Sequence, residues 1–425
     1  MLTQAPKGTK DILPGESYKW HYIEDVIRRT CSLFGYREIR TPVFEHTELF
    51  QRSVGGTTDI VQKEMYTFDM KGRSLTLKPE GTAGVVRSFI ENGLFNEVLP
   101  AKMYYLNSPT FRYEQPQEGR LREHHQFGVE VFGAAEASMD AEVIRLAGFV
   151  FSALDISNLE LHINSIGCRE CRPVYNERLR AYFRPFVEGK KVCATCIERY
   201  DRNPLRLLDC KEERCKAIAK DAPTILDCLC DECSGHFQDL QECLKRLNIE
   251  YSIDPYIVRG LDYYTRTVFE YVSNAIGAQG TVCGGGRYDK LMEECGGPEM
   301  PGMGFGMGME RLLLQMEKTS KAIPEKPLYD VYLASMGDAA KARCFALCDE
   351  LRSARIRAEC DHMGRSLKAQ FKYAGKTGCP FVAVIGDNEL ENNTANVKNM
   401  KESTEDKISL SELTTYIQRQ LKEEK

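Results

Sequence analysis

The chain has 425 residues, of which 42% are apolar and 28% charged, and its formal net charge is −5. This composition is typical of a globular protein with two or three domains, and the charge neither indicates nor excludes a nucleic-acid partner. Residues 1–17 contain no secretory signal, and no stretch approaches the ~18 apolar residues of a membrane helix. We therefore expect a cytoplasmic protein with no membrane partner.

The N-terminal quarter alternates between helical and extended patterns. Apolar spacing predicts an amphipathic helix over residues 18–34, a strand over 36–45, a flexible loop over 54–61 and short strands over 65–69 and 74–77. A helix over 83–92 follows, with Thr82 as its N-cap. Glu80 and Thr82 either serve only that helix start or present a carboxylate and a hydroxyl to a ligand ammonium group.

Residues 110–133 predict a strand, a polar loop and a second strand. On the second strand His124, Gln126, Gly128 and Glu130 share one face, and the opposite face is largely apolar. Arg112 and Glu114 join the polar face if the strands pair, and the loop over 115–121 adds Arg120. A solvated sheet face is the alternative, but the mobile loop cation and the space at Gly128 favour a binding surface.

After a helix over 134–154 and a strand over 159–165, the composition changes to a cysteine-rich stretch. Ten of the 17 cysteines lie between residues 168 and 243. The pairs Cys168/Cys171 and Cys193/Cys196 have spacing close to that of a structural zinc site. Buried free thiols are the alternative. A second zinc set would use four further cysteines, Cys210, Cys215, Cys230 and Cys233.

Three stretches near residues 256–311 place cations and bare backbone together. Arg259 follows a strand and predicts a fixed cation, and the Tyr263–Tyr264 pair predicts an aromatic wall. The glycines at 284–286 predict a tight turn into a helix. A strand with glycine at 302, 304, 306 and 308 leads into a helix over 309–318 that carries Arg311, so a flat ligand has backbone to lie on.

Residues 322–327 predict a linker, and the remainder a βαβαββα domain. This domain contains a basic run that predicts either a phosphate-backbone contact or a solvated helix face. The run consists of Arg352, Arg355, Arg357, Arg365, Lys368, Lys372 and Lys376.

Taken together, these stretches resemble the histidyl-tRNA synthetases of the bacterial class II type, over essentially the whole chain. The resemblance implies an α+β fold: an antiparallel six-stranded catalytic sheet with flanking helices and a helical insertion, plus a C-terminal α/β anticodon-binding domain. It implies domains at 1–325, with the cysteine-rich insertion at about 168–250, and at 326–425. The motifs that carry it are residues 6–11, 79–82, 111–114, 125–130, 259–264, 284–288 and 304–311.

The same resemblance implies an activity and its partners. Histidine would attack the α-phosphate of ATP, with Mg²⁺ present, and the histidyl group would pass from the adenylate to the 3′-terminal ribose of tRNA(His). A homodimer would form through the helix and strand at 18–45. Positioning and charge stabilisation, rather than a protein nucleophile, would supply the catalysis.

Each site residue has a role that the resemblance implies. Arg112 and Arg259 would be catalytic, holding the α-phosphate from opposite sides. Histidine would bind to Glu80, Gly81, Thr82, Arg112, Gln126, Glu130, Arg259, Tyr263 and Tyr264, with Glu130 and the tyrosines reading the imidazole. ATP would bind to Arg112, Glu114, Arg120, His124 and Arg311. His124 stands where class II enzymes often stack an aromatic ring on adenine.

Three rival readings remain. A catalytically inactive paralogue that regulates ATP phosphoribosyltransferase would be expected to lose Arg259, Arg311 or the C-terminal domain, and all are present. An RNA-binding module would not need the polar sheet face. A class II synthetase for another amino acid is disfavoured by Glu130 with Tyr263 and Tyr264, which suit a basic planar side chain.

Overall fold

The computed structural model describes residues 3–56, 58–117, 119–274, 280–319, 322–323 and 325–423. Residues 57, 118 and 324, which belong to the predicted loops at 54–61 and 115–121 and to the predicted linker, lie outside that part. The chain divides into two compact units, residues 1–323 and 324–425. None of the described helices has both the length and the apolar character needed to cross a bilayer.

The first unit contains the strands and helices that build the large sheet and the insertion. Its strands are β1 (Arg37–Glu38), β2 (Phe44–His46), β3 (Thr67–Met70), β4 (Arg73–Leu77), β5 (Ala101–Phe111), β6 (Glu123–Phe132), β7 (Leu159–Ser165), β8 (Ser252–Ile253), β9 (Thr265–Ser273), β10 (Thr281–Arg287) and β11 (Gly302–Gly308). Its helices are α1 (Pro14–Leu33), α2 (Thr47–Phe50), α3 (Thr82–Glu91), α4 (Ala137–Ala153), α5 (Cys171–Glu188), α6 (Ala194–Arg202), α7 (Glu213–Ala219), α8 (Asp231–Arg246), α9 (Leu291–Glu294) and α10 (Met309–Thr319).

The large sheet has the order β1-β5-β6-β11-β10-β9-β7-β8. Its six inner strands, β5 to β7 in that order, are antiparallel throughout, and the two-residue strands β1 and β8 pair in parallel at the edges. This arrangement, with flanking helices and a separate α/β unit, confirms the predicted fold class. The predicted six-stranded antiparallel sheet is extended by one short parallel strand on each side.

The two faces of the sheet differ, as the alternation along β6 predicts. Phe127, Val129 and Val131 point to one face and are buried against α1, α4 and α8 in the main apolar core. The other face carries Glu130 and packs with α3, the insertion and a group of tyrosines. The sheet therefore has an apolar side that supports it and a polar side that is available for chemistry.

Two N-terminal predictions need correction. The strand predicted over 36–45 is two short strands, β1 and β2, and β2 belongs to a separate three-stranded sheet of order β2-β4-β3. Within the flexible loop predicted over 54–61, residues 54–55 and 60–61 belong to two π-helical turns, Gln51–Gly55 and Ile60–Glu64. Val54 and Ile60 are buried, so packing holds these two turns.

The tight turn predicted at 284–286 is also wrong. Gly284, Gly285 and Gly286 lie inside β10 and pair with both β9 and β11 in the centre of the sheet. An added Cβ at Gly285 would meet the carbonyl oxygen of Gly304 and Phe305, so close backbone packing explains the glycine.

The elements of the second unit are β12 (Val331–Ser335), α11 (Asp338–Ser353), β13 (Ala358–Cys360), α12 (Leu367–Lys376), β14 (Phe381–Ile385), α13 (Asp387–Glu391), β15 (Thr394–Asn399), β16 (Glu405–Ser409) and α14 (Leu413–Glu423). Its five strands form a sheet of order β13-β12-β14-β15-β16 with helices around it. The predicted βαβαββα order lacks the short helix α13 and the strongly charged strand β16, whose sequence gives no apolar alternation.

Candidate active site

Glu130 is the most deeply buried carboxyl group on the polar face of the sheet, with no exposed surface. The Thr82 hydroxyl donates to its Oε1 at 2.7 Å, and the Tyr288 hydroxyl donates to its Oε2. Burial raises the pKa of Glu130 to about 8, against the stabilising effect of these two hydroxyl donors. Glu130 is thus a fully buried carboxyl group that two hydroxyl groups contact.

The start of α3 brings a second carboxyl group to the same place. The Thr82 and Ala83 backbone N–H groups donate to the Glu80 carboxylate at 2.7 and 2.8 Å. Thr82 is the first helical residue and its hydroxyl is directed to Glu130, so the N-cap prediction is wrong and Glu80 performs the capping. Desolvation raises the pKa of Glu80, and the capping N–H groups oppose that rise.

The glycines on and beside the polar face of the sheet mostly make room for neighbouring side chains. An added Cβ at Gly128 or at Gly81 would meet the Tyr105 ring, and one at Gly304 would meet Glu130. At Gly306 the nearest atom to an added Cβ is Gln126 Nε2 at 4.0 Å. The open backbone predicted along β11 and at Gly128 is therefore reduced to the area around Gly306.

Arg259 lies over another such glycine, Gly284, in β10. Its guanidinium forms an ion pair with Glu270, and its carbon lies 5.8 Å from the centroid of the Tyr264 ring. The charge of Glu270 and contact with Tyr264 raise the pKa of Arg259 despite burial. Its Nε is buried and has no hydrogen-bond partner among the described residues, so one donor remains for a ligand.

Tyr263 and Tyr264 form the wall between Arg259 and Glu130. The two rings lie 4.7 Å apart, and Tyr263 meets the ring of Tyr288 edge-on at 5.5 Å. Both tyrosines are buried, and burial raises the pKa of each phenol. Both phenols are therefore neutral, and Tyr263 is linked to Glu130 through the ring of Tyr288.

The end of β5, the loop after it and α10 bring the remaining predicted residues together. Arg112 donates to the Pro79 carbonyl at 2.9 Å, and Arg120 forms an ion pair with Glu114 at 3.1 Å. Burial and the nearby Arg120 charge lower the pKa of Arg311. His124 is kept neutral, because burial and the charges of Arg112 and Arg120 lower its pKa to about 3.

Three site residues had no assigned role in the sequence analysis: Tyr105, Glu270 and Tyr288. Tyr288 ends the Gly-Gly-Gly-Arg-Tyr motif, and its position there was the available signal. Tyr105 was concealed because β5 has an irregularity between Tyr105 and Ser108, with Asn107 at φ 51°, which breaks the period-two count. Glu270 is polar in an apolar strand, which was its signal.

The cysteine partition predicted from sequence is wrong. Cys168 and Cys171 lie with Cys230 and Cys233, here termed the outer cluster, and Cys193 and Cys196 lie with Cys210 and Cys215, the inner cluster. The reason is α5, an 18-residue helix that begins at Cys171. At 1.5 Å per residue this helix is about 27 Å long and carries the chain away from the first Cys-x2-Cys pair, and the segment that leads into α8 brings Cys230 and Cys233 back to it.

The family model for histidyl-tRNA synthetase matches residues 8–312, and the anticodon binding domain model matches residues 330–420. The chain belongs to the histidyl-tRNA synthetase family. The resemblance seen in the sequence motifs is thereby confirmed.

Similar proteins cover nearly the whole chain. A histidine–tRNA ligase of Clostridium novyi is 57% identical over 97% of this chain and 98% of its own length. One of Caldanaerobacter subterraneus is 55% identical over 98% of this chain and 100% of its own. The apo histidyl-tRNA synthetase of S. aureus superposes with a TM-score of 0.83 at 40% identity, covering 97% of this chain and 99% of that one.

Proposed function

We propose that this protein ligates L-histidine to tRNA(His) in two steps. A histidine carboxylate oxygen attacks the α-phosphorus of ATP and pyrophosphate leaves; a 3′-terminal ribose hydroxyl of the tRNA then attacks the carbonyl carbon and AMP leaves. The full-length relatives named as histidine–tRNA ligases favour this function over a regulatory paralogue. The observation that carries it is Glu130, a buried carboxyl group reached by Thr82 and Tyr288 beside the tyrosine wall.

The imidazole of histidine fits this pocket by its chemistry. Its ring N–H requires an acceptor, its ring nitrogen accepts from a phenol, and its flat face packs on rings. Glu130 supplies the acceptor, and Tyr263 and Tyr264 supply the wall. Glu80, Thr82 and Gln126 are proposed to hold the ammonium group, beside Gly81, where a side chain would strike Tyr105.

The phosphates fit between two sets of cations. Arg259, with its unpaired Nε, meets the α-phosphate from one side, and Arg112 meets it from the other; fixed cations at the developing charge lower the barrier. Arg120 and Arg311 take the distal phosphates, with Glu114 beside the adenine. His124, neutral because of its lowered pKa, can stack on adenine without adding charge. Mg²⁺ bound to ATP would neutralise phosphate charge.

The remaining parts of the proposal concern partners and place. The C-terminal unit is proposed to bind the anticodon arm of tRNA(His). The homodimer is proposed to form through the helix and strand at 18–45, together with the small sheet, where Phe44, Phe68 and Met70 are exposed. The cytoplasm, where tRNA is charged, is the proposed location. The insertion is proposed to bind structural zinc.

Pyrophosphate exchange into ATP, measured with each of the twenty amino acids in turn, tests the activation step. Exchange with histidine alone is the expected result, because only an imidazole satisfies both Glu130 and the tyrosine wall. The absence of exchange with any amino acid, from folded protein supplied with Mg²⁺, would reject the ligase and favour the regulatory paralogue.

A further inference from the structure

Eight of the ten insertion cysteines gather into the outer and inner clusters, and Cys228 and Cys243 belong to neither. Within each cluster all four sulfur atoms lie within 4.8 Å of one another. Six of the eight side chains are buried, and all eight thiols are free. Four thiols in each of two compact groups exceed what apolar packing requires.

The sulfur spacing fits one tetrahedral ion in each cluster. With a Zn–S bond of about 2.3 Å, a tetrahedron places its sulfurs about 3.8 Å apart. The outer cluster shows 3.6 Å between Cys168 and Cys171 and 3.8 Å between Cys168 and Cys230, and the inner cluster shows 3.7 Å between Cys193 and Cys210. A disulfide needs about 2.05 Å, and an iron–sulfur cluster would hold the thiolates farther apart by its own atoms.

Backbone N–H groups also point at the sulfurs, as expected for thiolates that carry negative charge. In the outer cluster the Glu170 N–H donates to Cys168 at 3.4 Å and the Cys230 N–H donates to Cys171 at 3.1 Å. In the inner cluster the Cys193 N–H donates to Cys215 at 3.2 Å. Such donors offset the charge of a four-thiolate site and orient its ligands.

We propose that the insertion holds two structural Zn²⁺ ions in these nested clusters, and that together they fix the loop at residues 259–264 in the shape that histidine binding requires. The first half of this proposal stands on the cysteine geometry alone. The second half rests on the proposed function, because that loop carries Arg259, Tyr263 and Tyr264.

The outer cluster reaches the loop through Arg172, the residue after Cys171. Its guanidinium donates to the backbone carbonyl of Asp262 at 3.3 Å and to that of Tyr264. Because Cys171 begins α5, fixing its sulfur on an ion fixes the position of Arg172 at the first turn. Arg172 is therefore a positioning residue for Tyr264.

The inner cluster reaches the same loop between its second and third cysteines. The Asn203 amide donates to the Asp262 carboxylate at 3.0 Å, and Arg206 donates to the Gly260 carbonyl at 2.5 Å. Both residues lie between Cys196 and Cys210, so closing this cluster fixes their approach. The loop is consequently held from both zinc sites.

Elemental analysis of the full chain, purified under reducing conditions without added metal, tests the ions directly. Two zinc atoms per chain are expected. Fewer than two, or iron in their place, would overturn the two-site proposal. The measurement does not depend on activity, so it is separate from any failure of histidine activation.

Serine variants test the partition of ligands. The double variant Cys168→Ser/Cys171→Ser should leave one zinc per chain. Adding Cys230→Ser and Cys233→Ser, which belong to the same cluster, should still leave one. Adding Cys193→Ser and Cys196→Ser instead should leave none, because both clusters are then disrupted. Cys228→Ser with Cys243→Ser is the matched control and should keep two. If the variant with all four outer-cluster cysteines changed bound no zinc, the nested arrangement would be contradicted.

Arg172→Ala tests the coupling without touching a ligand. It should keep two zinc atoms, raise KM for histidine about fivefold or more in pyrophosphate exchange, and change KM for ATP less than about twofold. Arg172→Lys should recover part of the loss, and Arg178→Ala, on the exposed side of the same helix, should change neither. Equal effects on both substrates, or none, would overturn the positioning role.

Discussion

Glu130 is fully buried, and two hydroxyl groups contact its carboxyl group. Glutamine has nearly the same size, so Glu130→Gln changes the chemistry of this group with little change in its volume. Glu130→Gln should raise KM for histidine about tenfold or more and KM for ATP less than about twofold, because an amide serves the imidazole N–H less well and does not touch the phosphates. Substrate titrations in pyrophosphate exchange measure both.

The control for this prediction is the same change at Glu114, which pairs with Arg120. Glu114→Gln should affect KM for ATP more than KM for histidine. If both variants moved the two constants equally, neither carboxyl group would have the specific role proposed for it.

The raised pKa of Glu130 also gives a pH dependence of stability. The folded protein keeps this proton up to about pH 8, whereas the unfolded chain releases it near the ordinary value of 4.5. The stability that this group contributes is complete below about pH 4.5 and is lost as pH rises to about 8, by ~5 kcal/mol at most. The Tm of the wild type should therefore fall relative to that of Glu130→Gln between pH 5 and 8.5; parallel curves would contradict the burial cost.

Arg259 is proposed to contact the α-phosphate, and its Nε is buried with no hydrogen-bond partner among the described residues. Arg259→Ala should lower the rate of adenylate formation by about a hundredfold or more while tRNA binding is retained. Single-turnover measurement of adenylate tests this, with Arg169→Ala, an exposed arginine, as the control. Unchanged activation would eliminate the assigned role.

At the scale of elements, two of the four glycines in β11 have different roles. Gly306 has open space above it, so Gly306→Ala should leave Tm nearly unchanged yet raise KM for at least one substrate several-fold. Gly304→Ala should lower Tm, because its methyl group would strike Glu130 and the Val129 carbonyl. A thermal melt and exchange kinetics on both variants separate the roles; unchanged KM in Gly306→Ala would mean that no ligand lies there.

Period-two alternation was sufficient to predict β6, and alternate glycines followed by a helical pattern were sufficient for β11 and α10. Alternation could not identify β10, because three successive glycines have no faces to distinguish. It could not place Tyr105 either, since the irregularity before Ser108 changes the count. Cysteine spacing predicted a metal site, but which cysteines lie together depends on how the chain folds back after α5.

At the scale of the whole molecule, the proposed function requires the C-terminal unit to contact RNA. Arg357 pairs with Asp330 and Arg365 with Asp361, so part of the basic run is used within the domain. Three lysines remain exposed at intervals of four on α12. They are Lys368, Lys372 and Lys376.

Changing all three lysines to alanine should raise KM for tRNA(His) and flatten the salt dependence of tRNA binding, while pyrophosphate exchange is unchanged. Aminoacylation at several salt concentrations measures both effects. The control carries the same number of exposed lysine changes in the same unit, at Lys341, Lys401 and Lys407. An equal effect of both triples would indicate general charge attraction and not a contact along α12.

Along the chain, the four cysteines of the inner cluster lie between the two pairs of the outer cluster. Because the chain leaves the ribosome from its N-terminus, this nesting sets the order in which the two clusters are completed. The inner cluster has all its ligands once Cys215 has emerged, but the outer cluster waits for Cys233, although its first cysteine was made earliest. Strand β9, which pairs with β7, is synthesised later still. If the two clusters bind the proposed zinc ions, all eight ligands are therefore available before the central sheet is complete.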